Sequence, residues 1–262
     1  MRYVSLAFRG DMALRATSEE LSKVPAVTLG FWAIKILATT LGEIAGDTVS
    51  MNFELGYLAA TVVFVGGLAV LVAAEIAAKK FIPVLYWATI LASTTAGTTL
   101  ADFFDRSLGI GYAGGAAALA ACVLASLALW YRSEGSIAVQ KVNTPRREAF
   151  YWLTITFSQT LGTALGDWTA DGLGFLGGAA LFGGVLTVLA ALYFTTALSR
   201  VVLFWSAFVL TRPLGATLGD FFDKAPSEGG LGVSRPLATA LIFGATVLAI
   251  ALIPQRADKE AA

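Results

Sequence analysis

Gln159 to Trp168 reads QTLGTALGDW: a G-x-x-x-G pair followed at once by an aspartate, in otherwise apolar surroundings. Three other stretches read almost the same: TTLGEIAGDT from Thr39, TTAGTTLADF from Thr94 and RPLGATLGDF from Arg212. Aligned on their first glycines, the copies are anchored at Gly42, Gly97, Gly162 and Gly215. Four residues on stand Gly46, Ala101, Gly166 and Gly219, and then Asp47, Asp102, Asp167 and Asp220. Ten residues before the first glycine stand Trp32, Trp87, Trp152 and Trp205, four of the six tryptophans. Repetition at this period is the first feature to settle in a chain, because it fixes the architecture.

Each copy continues through a glycine-containing turn into a second apolar run, so the unit is a helical hairpin. The chain is 57% hydrophobic and 14% charged, with a mean hydropathy of +0.75. A soluble domain carries about a quarter charged residues, so this chain cannot cover itself with polar surface. Apolar runs such as GYAGGAAALAACVLASLALWY reach the ~20 residues that cross a bilayer.

The expected fold is an all-α membrane protein: eight transmembrane helices built as four parallel two-helix repeats. The expected spans are about 27–46, 55–78, 82–101, 109–131, 148–166, 172–197, 201–219 and 236–254. They form one membrane domain over 27–254, with repeats at about 27–80, 81–132, 147–198 and 200–254, after a cytoplasmic tail at 1–26. Lysine and arginine collect on the loops of one side, thirteen against three. The positive-inside rule then places both termini in the cytoplasm. The three on the other side are Arg106, Lys224 and Arg235. Lys35 and Arg212 fall within the spans.

On a helix running from the tryptophan, the first glycine lies about 15 Å along and the aspartate about 22 Å. The tryptophans read as interfacial membrane anchors. Gly42, Gly46, Gly97, Gly162, Gly166, Gly215 and Gly219 read as packing positions between helices. The aspartates need another account, because a carboxylate at a helix C-terminus opposes the helix dipole. Steps of four and seven residues back share a face with the aspartate: Glu43 and Thr40, Thr98 and Thr95, Thr163 and Thr160 in the first three copies, whereas the fourth has Ala216 and Pro213 and carries Arg212 instead. These stripes predict an oxygen-lined path for a cation, with Arg212 and Lys35 as a gating or ion-pairing set. In a ring of four repeats, the first and fourth are neighbours and Arg212 meets Glu43.

The chain has no histidine and a single cysteine, Cys122, which removes the usual soft ligands and the commonest general base. Carboxylate and hydroxyl oxygens suit hard cations: Mn²⁺, Mg²⁺, Ca²⁺, Na⁺ or K⁺. The expectation is a transporter or channel for such an inorganic cation, open to proton coupling, with no resident cofactor, no enzymatic activity and no nucleic-acid partner. Its partners are the lipid bilayer and the cation. Two other readings stay open. One is a carrier of a small organic cation or polar metabolite, boxed by Phe103, Phe104, Trp168, Phe221 and Phe222. The other is a non-transporting scaffold.

The unit W-x9-G-x3-[GA]-D, present four times in two-helix repeats, resembles a family of bacterial integral membrane proteins. That family has four tandem repeats, each with two spans and a characteristic tryptophan, and is described as a repeat of unknown function. The resemblance covers about 27 to 254. It implies a bacterial inner-membrane protein and carries no activity with it.

Overall fold

The computed structural model describes residues 21–52, 56–107 and 109–258. Most of the expected N-terminal tail, with Arg2, Arg9 and Arg15, lies outside the described residues, as do Glu54 and Lys259. Seven α-helices account for nearly all of the described chain: α1 (Leu29–Asp47), α2 (Tyr57–Ala77), α3 (Pro83–Asp102), α4 (Tyr112–Glu134), α5 (Pro145–Thr195), α6 (Arg200–Asp223) and α7 (Arg235–Leu252). Local chemistry sets several starts. Thr28 and Thr144 cap α1 and α5 through their hydroxyls, and proline opens α3 and α5, where its missing N–H is no loss.

The two spans expected at 148–166 and 172–197 form a single run, α5, broken at Gly174. Gly174 has φ 71° and ψ 168°. The residues that begin α2 and α4, Gly56 and Gly111, have nearly the same values, 74° with 160° and 77° with 155°. This corner of backbone space is open essentially only to glycine. In three repeats a glycine therefore turns the chain from the first helix into the second. The expected eight segments are present as six separate helices plus one long helix bent at Gly174.

Six of the seven helices are long and apolar enough to cross a membrane, and the chain is a multi-pass membrane protein. The exception is α3, whose hydropathy is diluted by Thr89, Ser93, Thr94, Thr95, Thr98 and Thr99, all of them buried.

The first helices of the repeats form an inner ring in the cyclic order α1, α3, the 145–173 part of α5, and α6. They run parallel, tryptophans at one end and aspartates at the other. The G-x-x-x-G/A positions set the contacts between neighbours. A Cβ built on Gly42 would strike Thr94, one on Gly46 Thr98, and one on Gly97 the backbone of Gln159 and Thr160. Gly162 abuts Arg212 and Pro213, Gly166 abuts Ala216, Gly215 abuts Thr39, and Gly219 abuts Glu43. Each repeat thus offers its glycines to the next, and the fourth offers its own to the first.

An outer layer follows the same rotation. α2 packs on α3, α4 on α5, and α7 on α1; Gly178, beyond the α5 break, sits against Thr217 of α6. The outer helices leave Val62, Val70, Leu124, Leu181, Leu241 and Leu248 exposed. Apolar surface on this scale fits lipid.

A Cβ added to Gly97 would lie 2.9 Å from backbone atoms of α5, which cannot swing aside. Gly97→Ala should lower stability by about 1–3 kcal/mol in unfolding followed in detergent. Gly67→Ala, where the new Cβ meets nothing within 4 Å, should leave stability unchanged or slightly improved.

Candidate functional site

The axis of the inner ring is a stack of layers, one side chain per repeat in each. At one end, Trp87 packs on Phe31 (5.5 Å between ring centroids), Trp152 on Tyr86 (5.6 Å), Trp205 on Tyr151 (6.2 Å) and Trp32 on Phe204 (5.7 Å). Every tryptophan thus rests on an aromatic ring of the preceding repeat, and the circle closes. Trp87, Trp152 and Trp205 are at most 4% exposed. Their indole N–H groups are also engaged where the polar chain reaches them: Trp87 donates to Gln255, and Trp205 donates to the carbonyl of Ile137 at 3.0 Å. For Trp87, Trp152 and Trp205 the expectation of membrane anchors is corrected, because their rings are buried against protein; Trp32 is only partly buried.

The next layer holds Lys35, Ile90, Ile155 and Phe208, all fully buried. Lys35, expected in a gating or ion-pairing set, has its ammonium 4.2 Å over the Phe208 ring with no hydrogen-bond partner. Thr39, Thr94, Gln159 and Arg212 follow. Thr94 and Thr39 donate to the carbonyls of Ala38 and Thr211 on the neighbouring helices, each at 3.3 Å.

Arg212 differs from its counterparts because its side chain is long enough to reach the axis. Its Nη2 donates to Glu43 Oε2 at 2.7 Å, to Thr98 Oγ1 at 2.6 Å and to Thr163 Oγ1 at 2.6 Å. Those acceptors come from α1, α3 and α5. One guanidinium therefore touches all three other helices of the ring, at a point fully closed to solvent. Thr98 also donates to Glu43 Oε2 at 3.3 Å. The fourth member of this layer is Ala216, which leaves room for it.

Thr40, Thr95 and Thr160, expected on the path, do not join this network. Their hydroxyls donate to the carbonyls of Ile36, Leu91 and Thr156 on their own helices. A threonine in a helix has that carbonyl within reach four residues back, so its polar atom is satisfied locally.

The four aspartates close the other end, 2–8% exposed. Arg106 lies 3.0 Å from Asp102 and 3.3 Å from Asp167. Lys224 lies 2.6 Å from Asp47 and 3.1 Å from Asp220. Arg235 pairs with Asp223 at 2.7 Å and approaches Asp47 at 3.9 Å. Burial works against the Lys224 ammonium, but Asp220, Asp47 and Asp223 outweigh it and hold it above the usual lysine range. Between the aspartate and arginine layers, Glu43, Asp167 and Asp220 each bring a carboxylate oxygen within 4.8 Å of the others. Three oxygens so placed have the spacing and hardness to hold an inorganic cation. The five aromatic residues beside the aspartates make no box around them. Trp168 is 48% exposed, and Phe103 with Phe104 and Phe221 with Phe222 meet edge to face.

The order of repeats observed here matches a known repeat family. The family model described as "Repeat of Unknown Function (DUF347)" matches residues 30–81, 85–136, 150–198 and 203–257. The chain belongs to this family. No curated protein and no solved structure matches it. Four family repeats coincide with the four hairpins, so the family unit is one inner helix plus the outer helix that packs on the next repeat.

Sequence reasoning missed the bridging parts of Arg106 and Lys224, which spacing alone could have raised: each lies four residues after a motif aspartate, one helical turn on. It also missed Gln159, at the position equivalent to Arg212.

The Arg212–Glu43 pair is buried on both sides. Arg212→Met should destabilise the fold by about 3–5 kcal/mol, because it leaves a buried carboxylate without a counter-charge. Adding Glu43→Gln should recover most of that loss in a double-mutant cycle of unfolding in detergent.

Proposed function

We propose that the chain is a carrier for a hard inorganic cation in the bacterial inner membrane, with eight spans and both termini cytoplasmic. The observation that carries this reading is the cluster of Glu43, Asp167 and Asp220, buried and within 4.8 Å of one another. Intramembrane carboxylates are expensive and usually belong to an ion path. An eighth span follows if α3, polar but enclosed by its neighbours, crosses with them and the two parts of α5 cross separately.

A carrier is favoured over an open channel. Arg212 occupies the axis, and interlocked aromatic rings close the end below it. An ion passes only if those groups move. Arg212 and the cation compete for Glu43: with the cation absent, the guanidinium neutralises the acid; with it present, Arg212 is left to Thr98 and Thr163. Arg106 and Lys224 tether all four aspartates at the entrance, Asp167 and Asp220 among them, and an arriving cation must loosen them.

Flux into proteoliposomes, screened with Mn²⁺, Mg²⁺, Ca²⁺, Na⁺ and K⁺, tests the proposal. One of these ions should move, and Asp167→Asn should abolish its flux. Arg212→Gln should bind that ion about tenfold more tightly, a gain of about 1.4 kcal/mol, while turning over more slowly. Folded, inserted protein that moves none of the five would end the cation reading.

A further inference from the structure

At the tryptophan end, outside the ring axis, lies a second polar cluster. Glu75, in the last turn of α2, and Glu148, in the first turn of α5, are each 1% exposed. Lys23 reaches in from the segment before α1. Its ammonium lies 2.7 Å from Glu148 Oε1 and donates to the main-chain carbonyls of Glu75 at 2.9 Å and Ile76 at 3.3 Å. α3 and α5 add Tyr86 and Tyr151, whose hydroxyls are 2.5 Å apart. The next basic residues, Lys79 and Lys80, are exposed.

The two carboxyls do not share Lys23 equally. Glu148 sits at a helix N-terminus, where the dipole favours an anion, and it has the ammonium in contact. Glu75 sits at a helix C-terminus, where the dipole opposes an anion. The ammonium that comes near it is bound to the end carbonyls of its helix. Glu75 Oε1 has no hydrogen-bond partner; the Glu148 oxygens have none either, but Glu148 keeps the ion pair at 2.7 Å and Glu75 has no such pair. Two acids and one base leave one negative charge in a place closed to water. A buried carboxyl in that position neutralises itself by taking up a proton.

We infer that Glu75 is a proton-binding site, with Glu148 and Lys23 as a fixed ion pair beside it, at the opposite end of the bundle from the aspartates. Towards the axis, α5 carries Thr154, Ser158 and Gln159, fully buried, with side-chain polar atoms lacking hydrogen-bond partners. They lie between Glu148 and Tyr151 at one end and Thr163 and Asp167 at the other. This row of unsatisfied groups suits a proton passing between the two ends. Proton binding stands on the geometry of Glu75 alone; its part in coupling rests on the carrier reading above.

Infrared difference spectroscopy of the full chain in liposomes, in H₂O and D₂O, tests the site without any transport. The wild type minus Glu75→Gln spectrum at neutral pH should show a protonated-carboxyl carbonyl band that shifts in D₂O. Asp167→Asn should retain that band. Lys23→Met, which strips Glu148 of its partner, should add a second such band and keeps the test available if Glu75→Gln does not fold. A difference spectrum with only ionised carboxylate bands, or a Lys23→Met spectrum with no added band, would overturn the assignment. In flux assays, Glu75→Gln should retain cation binding and lose stimulation by a pH gradient. Undiminished stimulation would remove Glu75 from coupling, and a chain that moves no cation would leave the infrared result to decide the proton site.

Discussion

Backbone-to-side-chain approach at the glycines of the inner ring is the constraint on which the structure rests. Each first glycine receives the side chain or backbone three residues before the equivalent glycine of the next repeat, and the second glycines Gly46, Gly166 and Gly219 receive the residue after it. This register can be met by four helices only if they run parallel, and it closes only if the fourth meets the first. Gly215 on Thr39 and Gly219 on Glu43 complete it. The contact works by van der Waals packing, which is what remains to hold helices together where lipid is as apolar as the side chains.

Parallel packing has an electrostatic consequence. The C-terminal ends of four helices, with their partial negative charge, converge where the motif also places four aspartates. The chain offsets this with Arg106, Lys224 and Arg235, each drawn onto one or more of the acids. Deeper in, threonines satisfy themselves on their own helices or on the neighbour, and Arg212 ties three helices to the fourth. Lys35 has only an aromatic face, the least compensated charge described on the axis.

Much of this was legible in the sequence because the repeats sample the same environment four times. Trp, Gly, Gly or Ala, and Asp recur at fixed spacing, so the two-helix unit and the common direction of the first helices could be read directly. The meeting of Arg212 with Glu43 followed from placing the repeats in a ring. The rest depended on three-dimensional choices that spacing leaves open. A tryptophan near a helix end reads equally as a lipid anchor or as a lid, and only its fit on the preceding repeat's Phe31, Tyr86, Tyr151 or Phe204 decides. Thr40 and Thr39 differ by one residue and both donate to the Ile36 carbonyl, but only Thr39 also comes within reach of the neighbouring helix, at the Thr211 carbonyl. Gly174 has the backbone conformation of Gly56 and Gly111 and separates the two helices of its repeat as they do, but with no intervening loop. Glu75 and Glu148 are 73 residues apart in sequence, and nothing local joins them.

The ring has the contact pattern of a cyclic tetramer, in which one surface of each subunit meets a different surface of the next. Here all four subunits sit on one polypeptide. In four identical chains, any side chain at the axis would appear four times, and an arginine at the position of Arg212 would crowd four guanidiniums together at one depth. Covalent fusion frees each copy to diverge alone. A single arginine can then stand opposite one glutamate and two threonines, with an alanine beneath it to make space. The asymmetry that gives the axis its chemistry is available to this scaffold only because its quarters were joined.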